Sequence, residues 1–169
     1  MSRKAFYSFH FKPDSWRASQ VRNIGVVDGN QPVSDNDWED IKEGGDSAIQ
    51  EWIDNQLAGR SCTIVLIGEN TAGRKWIKYE IKKSWNDGKG VFGIYIHNLK
   101  DKDGEQSSKG RNPFDDLIDD LTMHRDDEKL SSIVKTYNPP YSTSTDVYDY
   151  IKSNLEDWVE EAISIRENY

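Results

Sequence analysis

The chain has 169 residues, 30 of them acidic against 22 Lys and Arg, and a formal net charge of −8. That length suits a single domain over residues 1–169 with a real core, while 31% charged residues and a mean hydropathy of −0.85 require a well-solvated exterior. The acidic balance argues against nucleic acid or an anionic membrane as partner, since both reward a basic surface. One cysteine, Cys62, excludes an intramolecular disulfide framework and a cysteine zinc cluster. His10, His97 and His124 are too scattered to suggest metal ligation, so no metal is assigned. Residues 1–12 lack the apolar stretch of a secretory signal and the longest apolar runs are strand-sized, which predicts a cytoplasmic protein.

In chain order, residues 4–10 (KAFYSFH) are aromatic-rich and read as a strand ended by a breaker at residues 12–14, which include Pro13. Asp14 is suited to cap a short helix carrying Trp16, Val21 and Ile24. Residues 25–37 read as loop, with a short edge strand at 25–27, and a helical turn is expected around Trp38 and Ile41. Residues 46–58 form a clearer helix, with Ile49, Trp52, Ile53 and Leu57 on one face and Gly59 as its stop. Residues 61–68 (SCTIVLIG) are continuously apolar, as in a strand covered on both faces. A helix over 70–85 follows, ended by Gly88 and Gly90, then a buried strand over 91–97. Residues 98–113 read as surface loop, 114–121 as a short helix, 131–137 as a last strand and 146–166 as the final helix. The alternation predicts an α/β fold, a flavodoxin-like doubly wound sheet with mainly parallel strands.

The helix over 70–85 carries the candidate chemistry. At about 100° per residue, Ile77, Ile81, Ser84 and Trp85 make a buried stripe with Trp76 on its flank, and Glu80 falls between them. A carboxylate at the margin of an apolar face is partly desolvated unless something pairs with it, which makes Glu80 a candidate functional group. The plainer reading is a surface ion pair with Lys83 three residues on. In doubly wound sheets ligands bind beyond the carboxyl ends of the strands, where Phe9, His10 and residues 68–73 would converge.

The opening strand AFYSFHF and the Trp76-x-x-x-Glu80 pattern look like those of TIR domains. Together with VRN at 21–23, WED at 38–40, VLIGENT, GIYIHNLKD and KGRNPFD, they make the chain similar to the TIR-like family represented by the Thoeris anti-phage protein ThsB. That resemblance implies an enzyme of bacterial anti-phage defence, with NAD as substrate and not as a cofactor, Glu80 as the catalytic residue and Trp76 as the pocket aromatic. It further implies a cyclic ADP-ribose-type product that acts as a diffusible signal on a separate effector. The match departs from the family pattern in three places: Ile77 stands where a Cys usually follows the motif Trp, the second strand is hard to locate, and the Pro-Gly loop of receptor-type TIR domains is absent.

The chemistry has its own argument. Nicotinamide in NAD is already a cationic leaving group, so its departure moves positive charge onto the ribose, as in glycoside hydrolysis, and one carboxylate against that ribose stabilises the charge. Trp76 could limit water access and favour cyclisation over hydrolysis. Ser8 and His10, two apart on the first strand, could reach ligand hydroxyls or phosphate, or only satisfy buried backbone. Asn23 is a candidate for shaping the loop or binding ligand; Arg17, Arg22 and Arg74 could offset a diphosphate or be solvated surface arginines. A site edge made of loops such as 25–37 could be completed by a second copy of the chain, as a homo-oligomer, or by a phage-derived activator. Two rival classes are a non-enzymatic TIR-like interaction module and a nucleotide-binding sensor; no G-x-G-x-x-G follows a strand, which disfavours a redox dinucleotide fold.

Overall fold

The structure, a computed structural model, describes residues 2–30, 40–117, 121 and 128–169. Five parallel strands, β1 (Lys4–Ser8), β2 (Asp28–Gly29), β3 (Cys62–Ile67), β4 (Gly90–Tyr95) and β5 (Thr136–Tyr137), form one sheet in the order β2-β1-β3-β4-β5. This is the flavodoxin-like order, in which the chain leaves β1 toward one edge and returns beside it toward the other, so that β1 and β3 flank the switch in strand order.

The period-two alternation of the strands sorts side chains between two helical layers. Ala5 and Tyr7 of β1, with Cys62, Ile64 and Leu66 of β3, pack against α1 (Phe11–Arg22) and α4 (Ser144–Glu167). On the opposite face Val65 and Ile67 meet Ile77, Ile81 and Trp85 of α3 (Lys75–Asn86), and Phe6 meets Ile49, Ile53 and Leu57 of α2 (Gly45–Leu57). All six residues of β3 are buried, as its unbroken apolar run requires. Each fully buried aliphatic side chain contributes about 1.5–3 kcal/mol, so the two layers are held mainly by these stripes.

The structure corrects several boundaries. β1 stops at Ser8, and α1 begins at Phe11 with His10 as its N-cap; Asp14 is a buried first-turn residue and not the cap. Pro13 does not break this helix because the first turn needs no amide hydrogen there. The edge strand is Asp28–Gly29, paired with Lys4 and Ala5, instead of residues 25–27. α3 starts at Lys75 after an irregular stretch from Gly68, five residues later than its composition suggests. The last strand is two residues long, and Leu130–Ser132 before it form a 3-10 turn. Residues 113–116 make a turn where a helix was expected, with Phe114 and Leu117 buried beneath α3. Residues 31–39, which contain Trp38, the rest of the 114–121 segment at 118–120, and His124 lie outside the described residues. Among the described residues, no helix is long and apolar enough to cross a membrane, and no group of three His, Cys, Asp or Glu is placed to hold a metal ion.

Candidate active site

Strand alternation turns Ser8 toward the α3 face, beside Val65 of β3. There its hydroxyl donates a hydrogen bond of 2.6 Å to Oε1 of Glu80. Glu80 is only 8% exposed and Ser8 1%. Two further hydrogen bonds fix the rotation of α3 that brings Glu80 to the end of β1. Ser84, one turn on, donates to the Glu80 carbonyl at 2.6 Å, and its hydroxyl also lies 2.6 Å from that of Thr63 on β3. Helix, central strand and first strand are thus tied together by a short polar seam inside an apolar layer.

Lys83, the candidate surface partner of Glu80, pairs with Asp87 at 3.2 Å instead. Among the described residues no cation pairs with Glu80, and burial raises its pKa to about 8, against the opposing pull of the Ser8 hydroxyl. An acid in this state is mostly neutral near pH 7 and ionises readily once a positive charge comes close. Desolvation without a compensating cation is the pattern that separates functional carboxyls from solvated ones.

Trp76 lies one turn before Glu80 on α3. Half-buried, it packs on the Phe6, Ile49, Ile53 and Leu57 cluster, edge-on to Tyr79 at 5.8 Å and under the Lys75 ammonium at 4.9 Å. Tyr79 is held by Asp54 of α2 at 2.8 Å, and Lys75 is paired with Asp46. The aromatic is therefore set in the seam between α2 and α3.

The remaining candidates separate. His10 has left the strand and lies close to Arg74, the N-cap residue of α3; burial and then the arginine charge lower its pKa, and its Nδ1 has no hydrogen-bond partner among the described residues. Phe9 turns to the other face, against the α1 and α4 layer, with its ring 6.2 Å from that of Phe11. Asn23 is exposed at the C-terminal cap of α1. Because α1 runs back against the strands, this is the end of the sheet opposite Ser8, and the fold does not bring Asn23 to Glu80. Arg17 is 3% exposed and fully engaged: Nε donates to the Leu99 carbonyl, Nη2 to the Glu105 carbonyl and Nη1 to Asp14 at 3.0 Å. It is a structural clamp whose donors are taken up by the protein itself. Of the three arginines considered, Arg74 lies near His10.

Two contacts were not legible as motifs. The Asp14 carboxylate rests on Gly68, where a Cβ would lie 2.1 Å from Oδ2, and a Cβ on Gly110 would lie 2.2 Å from the Gly68 carbonyl oxygen. Glycine at both positions lets α1, the end of β3 and the 98–110 loop close on one another at the rim of the site. The Ser84 seam had a signal in the sequence, the four-residue spacing from Glu80 on the buried stripe, but its strand partner Thr63 had none.

A flavodoxin-like sheet with a buried Trp-x-x-x-Glu carboxyl beside the switch point defines a TIR-like α/β domain. Residues 6–101 match the family described as Thoeris protein ThsB, TIR-like domain, and the chain belongs to that family. It is also 41% identical, over 122 residues covering 69% of its length, to a protein of Bacillus cereus (strain MSX-D12) named "Putative cyclic ADP-D-ribose synthase ThsB1". The match spans 64% of that relative's length.

Proposed function

We propose that this chain cleaves NAD at the nicotinamide–ribose bond and closes the ADP-ribose moiety into a cyclic product that signals to a separate effector in anti-phage defence. The observation that carries this reading is the buried carboxyl of Glu80, held by Ser8 at the end of β1 with no cation beside it among the described residues. The name borne by the Bacillus cereus relative supports the same chemistry.

In the proposed reaction the bond between the ribose C1′ and the pyridinium nitrogen breaks, and its electron pair leaves with neutral nicotinamide. The positive charge passes to the ribose ring, where ionised Glu80 stabilises it. The approach of the cationic nicotinamide ribose favours the ionised form, so binding drives the proton off a group whose pKa starts near 8. A nucleophilic atom of the same ADP-ribose then forms the new bond to C1′; if that atom carries a proton, the proton is released to solvent. Trp76 and the α2–α3 seam limit competition from water.

The test is to incubate purified protein with NAD, identify products by mass, and add protein-free filtrate to the partner effector. Nicotinamide and a cyclic product in equal amounts, both absent with Glu80→Gln, are expected. An inert filtrate with activation only on direct contact would instead support an interaction module.

A further inference from the structure

Trp16 stands out from α1 with 54% of its surface exposed, on the face of the sheet opposite Glu80. It forms the wall between two adjoining cavities, of about 420 and 370 Å³, each within the size range of small-molecule sites. One lies toward Lys100 and the hydroxyl-rich residues 142–145, the other toward Lys12, Lys102 and Ser107. In a chain of net charge −8 this gathers three lysines around one exposed indole. Among the described residues, no carboxylate comes within ion-pair distance of Lys12 or Lys100. Asp101, the acid beside them, is turned inward: its Oδ1 accepts the amides of Asp103 and Glu105, and its Oδ2 faces Arg17 at 3.9 Å.

The walls are fixed before any ligand arrives. Gln106 donates to the carbonyls of Asn98 and Ser142, both at 2.7 Å, and Gln20 donates to the Lys100 carbonyl at 2.7 Å. The Lys100 amide donates in turn to Ser144 Oγ at 3.0 Å. An irregular loop is thereby pinned to α1 and to the start of α4 around the indole, and a preorganised wall loses little freedom on binding.

We propose that the groove around Trp16 is a second ligand site, for a purine nucleotide, separate from the Ser8–Glu80 site. The exposed indole face offers a stacking platform for the base. The Lys12 and Lys100 ammoniums meet the phosphate, and the hydroxyls of Ser142 and Thr145 are at hand for the sugar. Charge complementarity favours an anionic occupant over an apolar or cationic one, since Asp101, the carboxylate that lines the groove, is already engaged by two amides and faces Arg17.

AMP is the probe, because it carries base, ribose and phosphate but no nicotinamide bond to cleave. Titrating it into the full chain, followed by calorimetry and tryptophan fluorescence, should show one saturable site. Trp16→Ala should weaken binding about tenfold or more, and Lys12→Glu with Lys100→Glu should weaken it comparably. Adenosine and ribose 5-phosphate should each bind more weakly than AMP. Glu80→Gln and Trp76→Ala should leave the affinity unchanged. Trp16 and the two lysines are exposed, so thermal melts of these variants should match the parent; if Trp16→Ala does melt early, the lysine variant carries the test. Absence of saturable AMP binding would overturn the proposal, as would binding that survives both groove changes but is lost in Glu80→Gln or Trp76→Ala.

Discussion

Replacing Glu80 with Gln should do two things that separate a functional acid from a structural one: abolish NAD cleavage and stabilise the fold at alkaline pH. In the folded chain the Glu80 pKa is raised to about 8 from the ordinary 4.5. The folded state therefore holds the proton more tightly than the unfolded chain. The stabilisation this gives is fully present below about pH 4.5 and is lost as pH rises through about 8. Each pH unit across that window is worth about 1.4 kcal/mol. The advantage of permanently neutral Gln should then grow from under about 1 kcal/mol at pH 5 to about 5 kcal/mol at pH 9, as an upper limit set by full burial. For a chain of this size that corresponds to a difference in melting temperature that widens by about 10 °C. The assay is a set of paired thermal melts from pH 5 to 9. The change with pH is the quantity to read, because any packing difference between acid and amide adds a constant offset. A gap that stays flat with pH, or one that closes toward alkaline pH, would refute the buried, cation-free state of Glu80. Normal turnover by Glu80→Gln would refute its catalytic role.

Three other predictions follow from the same geometry. The log of kcat/KM for NAD should climb with unit slope up to an apparent pKa near 8, because the free enzyme must lose the Glu80 proton; a profile flat between pH 6 and 9 counts against it. Ser8→Ala removes the donor at 2.6 Å that favours the ionised form. It should slow turnover severalfold at neutral pH and move the pH profile to higher values, and a slower rate with an unshifted profile would mean that Ser8 acts only in packing. Trp76→Ala should raise the ratio of linear to cyclic ADP-ribose, read by mass of products, provided melts show a folded protein; an unchanged ratio would remove Trp76 from the control of water.

What the sequence disclosed depended on whether a feature is local. The unbroken run of β3, the apolar stripes of α2, α3 and α4, and the placement of Glu80 at the edge of one stripe all follow from periodicity along one element. β2 and β5 have two residues each, and their exact bounds lie in backbone pairing with β1 and β4, which no residue type announces. Asp14 looked like a cap because Pro13 looked like a breaker, yet both fit the first turn of α1. The pairing of Ser8 with Glu80 joins residues 72 positions apart and needed the β1–β3 register to place it. Asn23 was suggested by its motif alone, and the direction of α1 carries it to the far end of the strands.

The raised pKa of Glu80 fits the direction in which charge moves in the proposed reaction. A carboxylate already stabilised by an arginine would gain little from a second positive charge, because its lone pairs would be spent in the resting state. Glu80 receives a side-chain hydrogen bond from Ser8 at one carboxyl oxygen. In NAD the positive charge begins on nicotinamide and passes to the ribose as the bond breaks. A carboxylate against the ribose therefore interacts more strongly with the transition state than with the bound substrate, which is the condition for accelerating the step and not merely tightening binding. The low-dielectric layer that disfavours ionisation in the resting protein also amplifies the attraction once the ion pair forms. The hydrogen bonds from Ser84 to the Glu80 carbonyl and between Ser84 and Thr63 keep α3 from rotating the group out toward water, where both effects would vanish.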